Sequence, residues 1–91
     1  MPSTRSAKKR VRQNAVRRDR NQSRRSAVKT QIRKFLDAVH EKDIDRSKEE
    51  YHRAARILDQ TSAAGTYHKN TAARKKSRLA ARLNSLLAAD Q

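Results

Sequence analysis

Three stretches carry residues able to do chemistry, and in each the chemistry is the holding of anions. SAKKRVRQN (residues 6–14), RNQSRRSAVK (20–29) and GTYHKNTAARKKSR (65–78) set Lys and Arg among Ser, Asn, Gln and His. Cations neutralise phosphates, and hydroxyl and amide groups hydrogen-bond to phosphate and ribose oxygens. Arginines outnumber lysines 15 to 9, and a guanidinium fork grips a phosphate with two parallel bonds. On the N-terminal side the candidate anion-binding set is Arg5, Ser6, Lys8, Lys9, Arg10, Arg12, Asn14, Arg17, Arg18, Asn21, Ser23, Arg24, Arg25, Ser26 and Lys29. On the C-terminal side it is His68, Lys69, Asn70, Arg74, Lys75, Lys76 and Arg78.

The third stretch opens on the only glycine, Gly65, and then puts Lys69, Arg74, Lys75 and Lys76 where a new helix should begin. A helix N-terminus carries a positive dipole end and favours acids there. Each misplaced cation costs about 0.3 kcal/mol or more in an isolated helix. A phosphate received by the free N–H groups reverses that sign. Arg5, Lys8, Lys9 and Arg10 repeat the inversion at the start of the first helix. The plain alternatives are a solvated turn for the third stretch and a solubility tail for the first two. Thirteen cations against one acid, Asp19, in residues 1–34 are more than solubility needs.

Other chemistry finds no foothold. His40, His52 and His68 are never three or four apart, and there is no cysteine, so no metal site is expected. Asp37, Glu41, Asp43, Asp45, Glu49 and Glu50 gather in the middle of the chain. General acid–base work needs carboxylates in a dry pocket, which a domain this small does not offer. We read the acids as a solvated face turned away from the anionic partner, with Glu49 and Arg53 as an i,i+4 pair. No catalytic residue and no cofactor is expected, and the chain is not read as an enzyme. Phe35, Tyr51 and Tyr67 are too few for the aromatic platforms of single-strand readers. The first two belong to the core, and Tyr67 packs across the turn between the second and third helices in preference to stacking on a base or a ribose. The readout is therefore backbone shape, with little base identity.

The elements that position these residues follow from periodicity. Val28, Ile32, Phe35 and Val39, with Leu36 alongside, make one helical stripe. Ile44, Tyr51 and Leu58, with Ala54, Ala55 and Ile57 between, make a second. Ala72, Leu79, Leu83 and Leu86, beside Ala80 and Leu87, make a third. Asp43 caps the second helix in preference to a Ser47–Glu50 box, because Ile44 is already in phase with Tyr51. Gly65 suits the left-handed position after that helix. The third starts near residues 69–71, with Asn70 or Thr71 as its cap. Pro2 is the only proline, so nothing breaks the first helix after residue 3. No alternating β-branched run exists, so no strand is expected. The expectation is an all-α protein: a three-helix antiparallel bundle with an elongated basic first helix. Residues 1–26 form a basic extension of helix one, and residues 27–91 form the bundle. If helical over 4–42, the first helix is about 58 Å long. Upstream of Ala27 it has no face to bury, so alone in water this part frays.

Composition sharpens the partner. The 91 residues carry a net charge of +15, with a pI near 11.5 and 36 % charged residues. Residues 1–34 hold a net +12, residues 35–62 a net −2, and residues 63–91, with Asp90 their one acid, a net +5. Such self-repulsion calls for an anionic partner. No run of about 18 apolar residues is present to span a membrane. An Arg- and Ser-rich, acid-poor start also fits a transit peptide, but the basic segment is continuous with the folded part.

SAKKR, NQSRRS and GTYHKNTAARKKSRL stand in an order and spacing that resemble the bacterial-type small-subunit ribosomal protein family S-twenty, which is also found in plastids. The resemblance covers nearly the whole chain. It implies a three-helix bundle with a long first helix that binds small-subunit (16S-type) ribosomal RNA directly and early in assembly. By position it implies RNA contacts from Ser6, Lys8, Lys9 and Arg10, from Asn21, Ser23, Arg24, Arg25 and Ser26, and from His68, Lys69, Asn70, Arg74 and Lys76. With the default cytoplasmic location and absence of a membrane span read from composition, it implies a place in the ribosome (plastid stroma included), few protein neighbours, no small-molecule substrate and no homo-oligomer. The rivals are a DNA-compacting protein, which lacks a DNA-reading motif here, and a membrane-active helix, which would need an apolar face.

Overall fold

Thr4 starts the first helix by accepting a hydrogen bond from the Ala7 N–H at 3.3 Å, the role of an N-cap hydroxyl. From there the computed structural model, which describes residues 4–89, runs as α1 (Arg5–His40), α2 (Ile44–Ala63) and α3 (Lys69–Ala89). Pro2 and Asp90 lie outside the described residues. Among the described residues there is no strand, and the two connections, 41–43 and 64–68, fold each helix back on the one before. This is the expected all-α bundle with a long first helix. α2 lies along both neighbours, while the backbones of α1 and α3 come close at few positions.

Both connections close with the same hydrogen-bond pattern. After α2, Gly65 sits at φ +82°. Its N–H reaches the Ser62 carbonyl at 3.0 Å, and the Thr66 N–H reaches the Thr61 carbonyl at 3.1 Å. That is a Schellman closure with glycine in the left-handed place. After α1 the Lys42 N–H reaches the Val39 carbonyl at 3.0 Å and the Asp43 N–H the Ala38 carbonyl at 3.1 Å. Here the left-handed residue is Lys42, at φ 58°, where a Cβ costs about 1–2 kcal/mol. Two opposite results are expected in chemical denaturation. Gly65→Ala lowers stability by about 1 kcal/mol through strain alone, because nothing lies within 4 Å of an added Cβ. Lys42→Gly raises it by up to about 1 kcal/mol.

Asp43 caps α2 as expected, accepting from the Arg46 N–H at 3.2 Å. The core gathers Val28 and Phe35 of α1, Ala54 and Leu58 of α2, and Ala72, Leu79 and Leu83 of α3. Ile32, Leu36, Val39, Tyr51, Ile57, Tyr67 and Leu87 pack around it. The Phe35 and Tyr51 rings meet with centroids 6.1 Å apart. Leu87 takes the core place expected of Leu86, because the four-residue step from Leu79 to Leu83 continues once more.

The acids correct one expectation. Glu50 is buried, not part of a solvated face. Gln31 of α1 donates to its Oε2 at 2.6 Å and to its backbone carbonyl at 3.2 Å. Arg53 takes the other oxygen at 3.0 Å, so its partner is Glu50 and not Glu49. The reason is that α2 is covered on two flanks, and its buried strip is wider than its apolar stripe. Ser47 and Thr61 fill the same strip, each bonding a carbonyl four residues back at 2.6 Å.

The chain measures 67 × 21 × 15 Å, with a radius of gyration of 18.0 Å. A compact chain of this length has about 12 Å. The excess is α1, whose 36 residues extend about 54 Å, against about 30 Å for the 20 residues of α2. Every side chain from residue 8 to residue 20 is exposed, including Val11 at 70 % and Val16 at 47 %.

Candidate nucleic-acid interface

The projecting part of α1 is a positively charged rod. Residues 5–20 hold eight cations and one acid, Asp19, over about 24 Å of helix. That is close to one net charge per 3.4 Å, about half the linear charge density of a duplex. Arg5, Ser6, Lys8, Lys9, Arg10, Arg12, Asn14, Arg17 and Arg18 are all exposed. The ion pairs among the described residues are Arg46–Glu41, Arg53–Glu50 and Lys76–Asp59, so none of them uses a cation of the rod. The first turn of α1 holds no acid, and its dipole adds to the positive field.

At its root the rod meets the α2–α3 turn. Asn21 and Arg24 are half-buried, while Ser23, Arg25, Ser26 and Lys29 face solvent. Thr66, which follows Gly65, is buried. Its hydroxyl donates to Asn21 Oδ1 at 2.8 Å and accepts from Arg24 Nη1 at 3.5 Å. Two residues expected among the RNA contacts are thus held within the protein. Sequence reasoning passed over Thr66, whose only local signal is its place directly after the lone glycine.

Beyond Thr66 the chain enters α3 through His68. The His68 carbonyl accepts from the Ala72 N–H at 3.1 Å, and its Nδ1 accepts from the Asn70 N–H at 3.1 Å. The cap is therefore His68, not Asn70 or Thr71. The imidazole nitrogen does what a Ser or Asp oxygen does elsewhere, and it occupies one N–H that the sequence had left for a phosphate. The first turn of α3 holds no acid. Lys69, Asn70, Arg74 and Arg78 are exposed. Lys75 lies over the half-buried Tyr67 ring, its Nζ 5.8 Å from the centroid. Lys76 is drawn to Asp59 at 2.9 Å, a pairing across 17 residues that no local pattern announces.

The two connections lie at opposite ends of the bundle, and this sorts the charge. The rod root and the His68 turn share one end. Glu41, Asp43 and Asp45 sit at or beside the 41–43 connection at the other, where Lys42, Arg46 and Lys48 balance them and leave that end near neutral. Among the described residues no group of three His or acidic side chains converges as a metal site would require, and no helix is long and apolar enough to cross a membrane.

A family model described as ribosomal protein S20 matches residues 2–84. The chain belongs to this family. The small ribosomal subunit protein bS20 of Clostridium botulinum (strain Hall) is 46 % identical over 86 residues, which span 94 % of this chain and 98 % of that protein. The proteins of the same name from Natranaerobius thermophilus and Xylella fastidiosa are 43 % and 45 % identical over the same length. The S20 family is one of structural ribosomal proteins, so the chain is not an enzyme. In this S20 chain the rod, whose cations enter none of the ion pairs among the described residues, and the basic turn stand at one end of the bundle.

Proposed function

We propose that this protein is a structural constituent of the small ribosomal subunit that binds its ribosomal RNA directly, through phosphate and ribose, and stabilises the packing of RNA helices during assembly. The observation that carries the reading is the rod: cations on every side of an exposed half-helix that has no apolar face of its own to bury. Residues 1–26 act as the RNA-inserted extension, and residues 27–91 as the bundle that carries it. Arg5, Lys8, Lys9, Arg10, Arg12, Arg17 and Arg18 on the rod neutralise phosphates. Arg25 and Lys29 beside its root, and Lys69, Arg74 and Arg78 on α3, do the same. Ser6, Asn14, Ser23, Ser26 and Asn70 hydrogen-bond to the backbone and ribose. Helical order in residues 5–20 draws no tertiary support from the protein, and RNA supplies it on binding.

The test is sedimentation of a cell lysate through a sucrose gradient after a moderately high-salt wash, with the protein followed by mass spectrometry. Retention on the small subunit in near-equal amount to its other proteins is expected. Loss to the light fractions, or migration with chromosomal DNA, overturns the reading.

A further inference from the structure

The bonds of Asn21 and Arg24 to Thr66 are, among the described residues, the hydrogen bonds from α1 to another element that lie nearest its exposed run of residues 8–20. Thr66 is only 9 % exposed, and its hydroxyl both donates and accepts across 45 and 42 residues of sequence. Its backbone is held in turn by the Schellman closure at Gly65. A rigid receiver on one element thus meets the root of a lever on another. The lever is about 24 Å long, so a tilt of about 10° at its root moves its tip by about 4 Å, more than a hydrogen bond tolerates. The donor and acceptor of the 2.8 Å bond are both uncharged. An ion pair here would have consumed a cation that faces the ligand.

We propose that Asn21 and Thr66 form an uncharged latch that sets the root of the basic rod against the His68 turn, so that the rod, once RNA has ordered it, stands at a fixed angle to the cations of that turn. Asn21 is then a positioning residue that acts through Thr66, and not an RNA contact. Among the described residues Arg24 enters no ion pair with an acid, and one nitrogen of its guanidinium donates to the same hydroxyl. The latch also moves the start of helical order on α1 outward from Val28 to Asn21. Extending a formed helix is far easier than nucleating one, so the rod grows from this root when RNA arrives. The inference rests on the proposed RNA-binding role.

The test uses the full chain and transcribed small-subunit ribosomal RNA at fixed salt. Thr66→Val keeps size and branching and removes the hydroxyl. It is expected to weaken binding about tenfold, and Thr66→Ser is expected to restore affinity to within about twofold of the parent. Asn21→Ala should lose as much as Thr66→Val, and the double variant no more than either. The salt slope should stay unchanged, since every cation remains. Additive losses overturn the proposal, because Asn21 then touches RNA on its own account. Unchanged affinity in Thr66→Val overturns it as well. Amide exchange in the free chain reads the latch without RNA: protection of residues 21–27 should fall in Thr66→Val and persist in Thr66→Ser, and equal protection in all three chains overturns the latch. A parent chain that binds duplex DNA as well as ribosomal RNA sinks the functional reading instead, and exchange alone then decides the latch.

Discussion

Raising salt from about 50 to 200 mM is expected to weaken binding to small-subunit ribosomal RNA by about 10³–10⁵-fold. The expectation follows from the number of phosphates engaged. The rod and its root offer Arg5, Lys8, Lys9, Arg10, Arg12, Arg17, Arg18, Arg20, Arg25 and Lys29, all exposed, and α3 adds Lys69, Arg74 and Arg78. Engagement of about 6–10 phosphates by such a set releases the counterions condensed on them, and entropy carries the affinity. Base stacking cannot replace this contribution, because Phe35 is buried and Tyr51 and Tyr67 pack against the core. The check is a titration at four or five salt concentrations, plotted as log affinity against log salt. A slope shallower than about three phosphates would mean that most of the rod stays free in the complex. Random duplex DNA bound as tightly as ribosomal RNA would remove the case for shape recognition.

Phe35→Ala is expected to abolish the cooperative thermal transition of the free protein. Phe35 is fully buried, stands between Val28 and Val39 on α1, and meets Tyr51 across the α1–α2 interface. Truncating a buried Phe costs about 3–5 kcal/mol. Small domains hold about 5–15 kcal/mol in total, and this one works against a charge of +15 with a core of seven buried residues, three of them Ala or Val. It has little to spare. Far-UV circular dichroism during heating reads the result. A transition within a few degrees of the parent would place the stability elsewhere, in the hydrogen-bonded strip of Ser47, Glu50 and Thr61. RNA added in excess should recover part of the helix signal, since a ligand that binds only the folded state stabilises it.

The sites and the core were legible to different depths. The three helices, the cap at Asp43 and the left-handed Gly65 could be read because each depends on residues within one or two turns of each other. The same locality misled at the start of α3, where Asn70 and Thr71 have the side chains of a cap but His68 makes the bond. Lys42 was invisible as a left-handed residue because a lysine carries no signal for that conformation, and the closure of the connection imposed it. Glu49 and Arg53 have good pair spacing on an isolated helix, yet Gln31 arrives from α1 and draws the pairing to Glu50.

Charge and its segregation, the helical periods and the glycine turn at Gly65 could be read without the fold, because these are local properties of composition and spacing. They suffice to expect an all-α chain and to propose a polyanion as its partner. Tertiary structure alone decided which polar groups meet: Thr66 with Asn21, Gln31 with Glu50, and Lys76 with Asp59. Those pairs lie 45, 19 and 17 residues apart. Their meeting depends on how far one helix slides along another, which is set by the fit of side chains such as Phe35 and Leu58 in the shared core. A stagger of one residue, about 1.5 Å, would break each of these bonds and leave the pattern of the sequence unchanged.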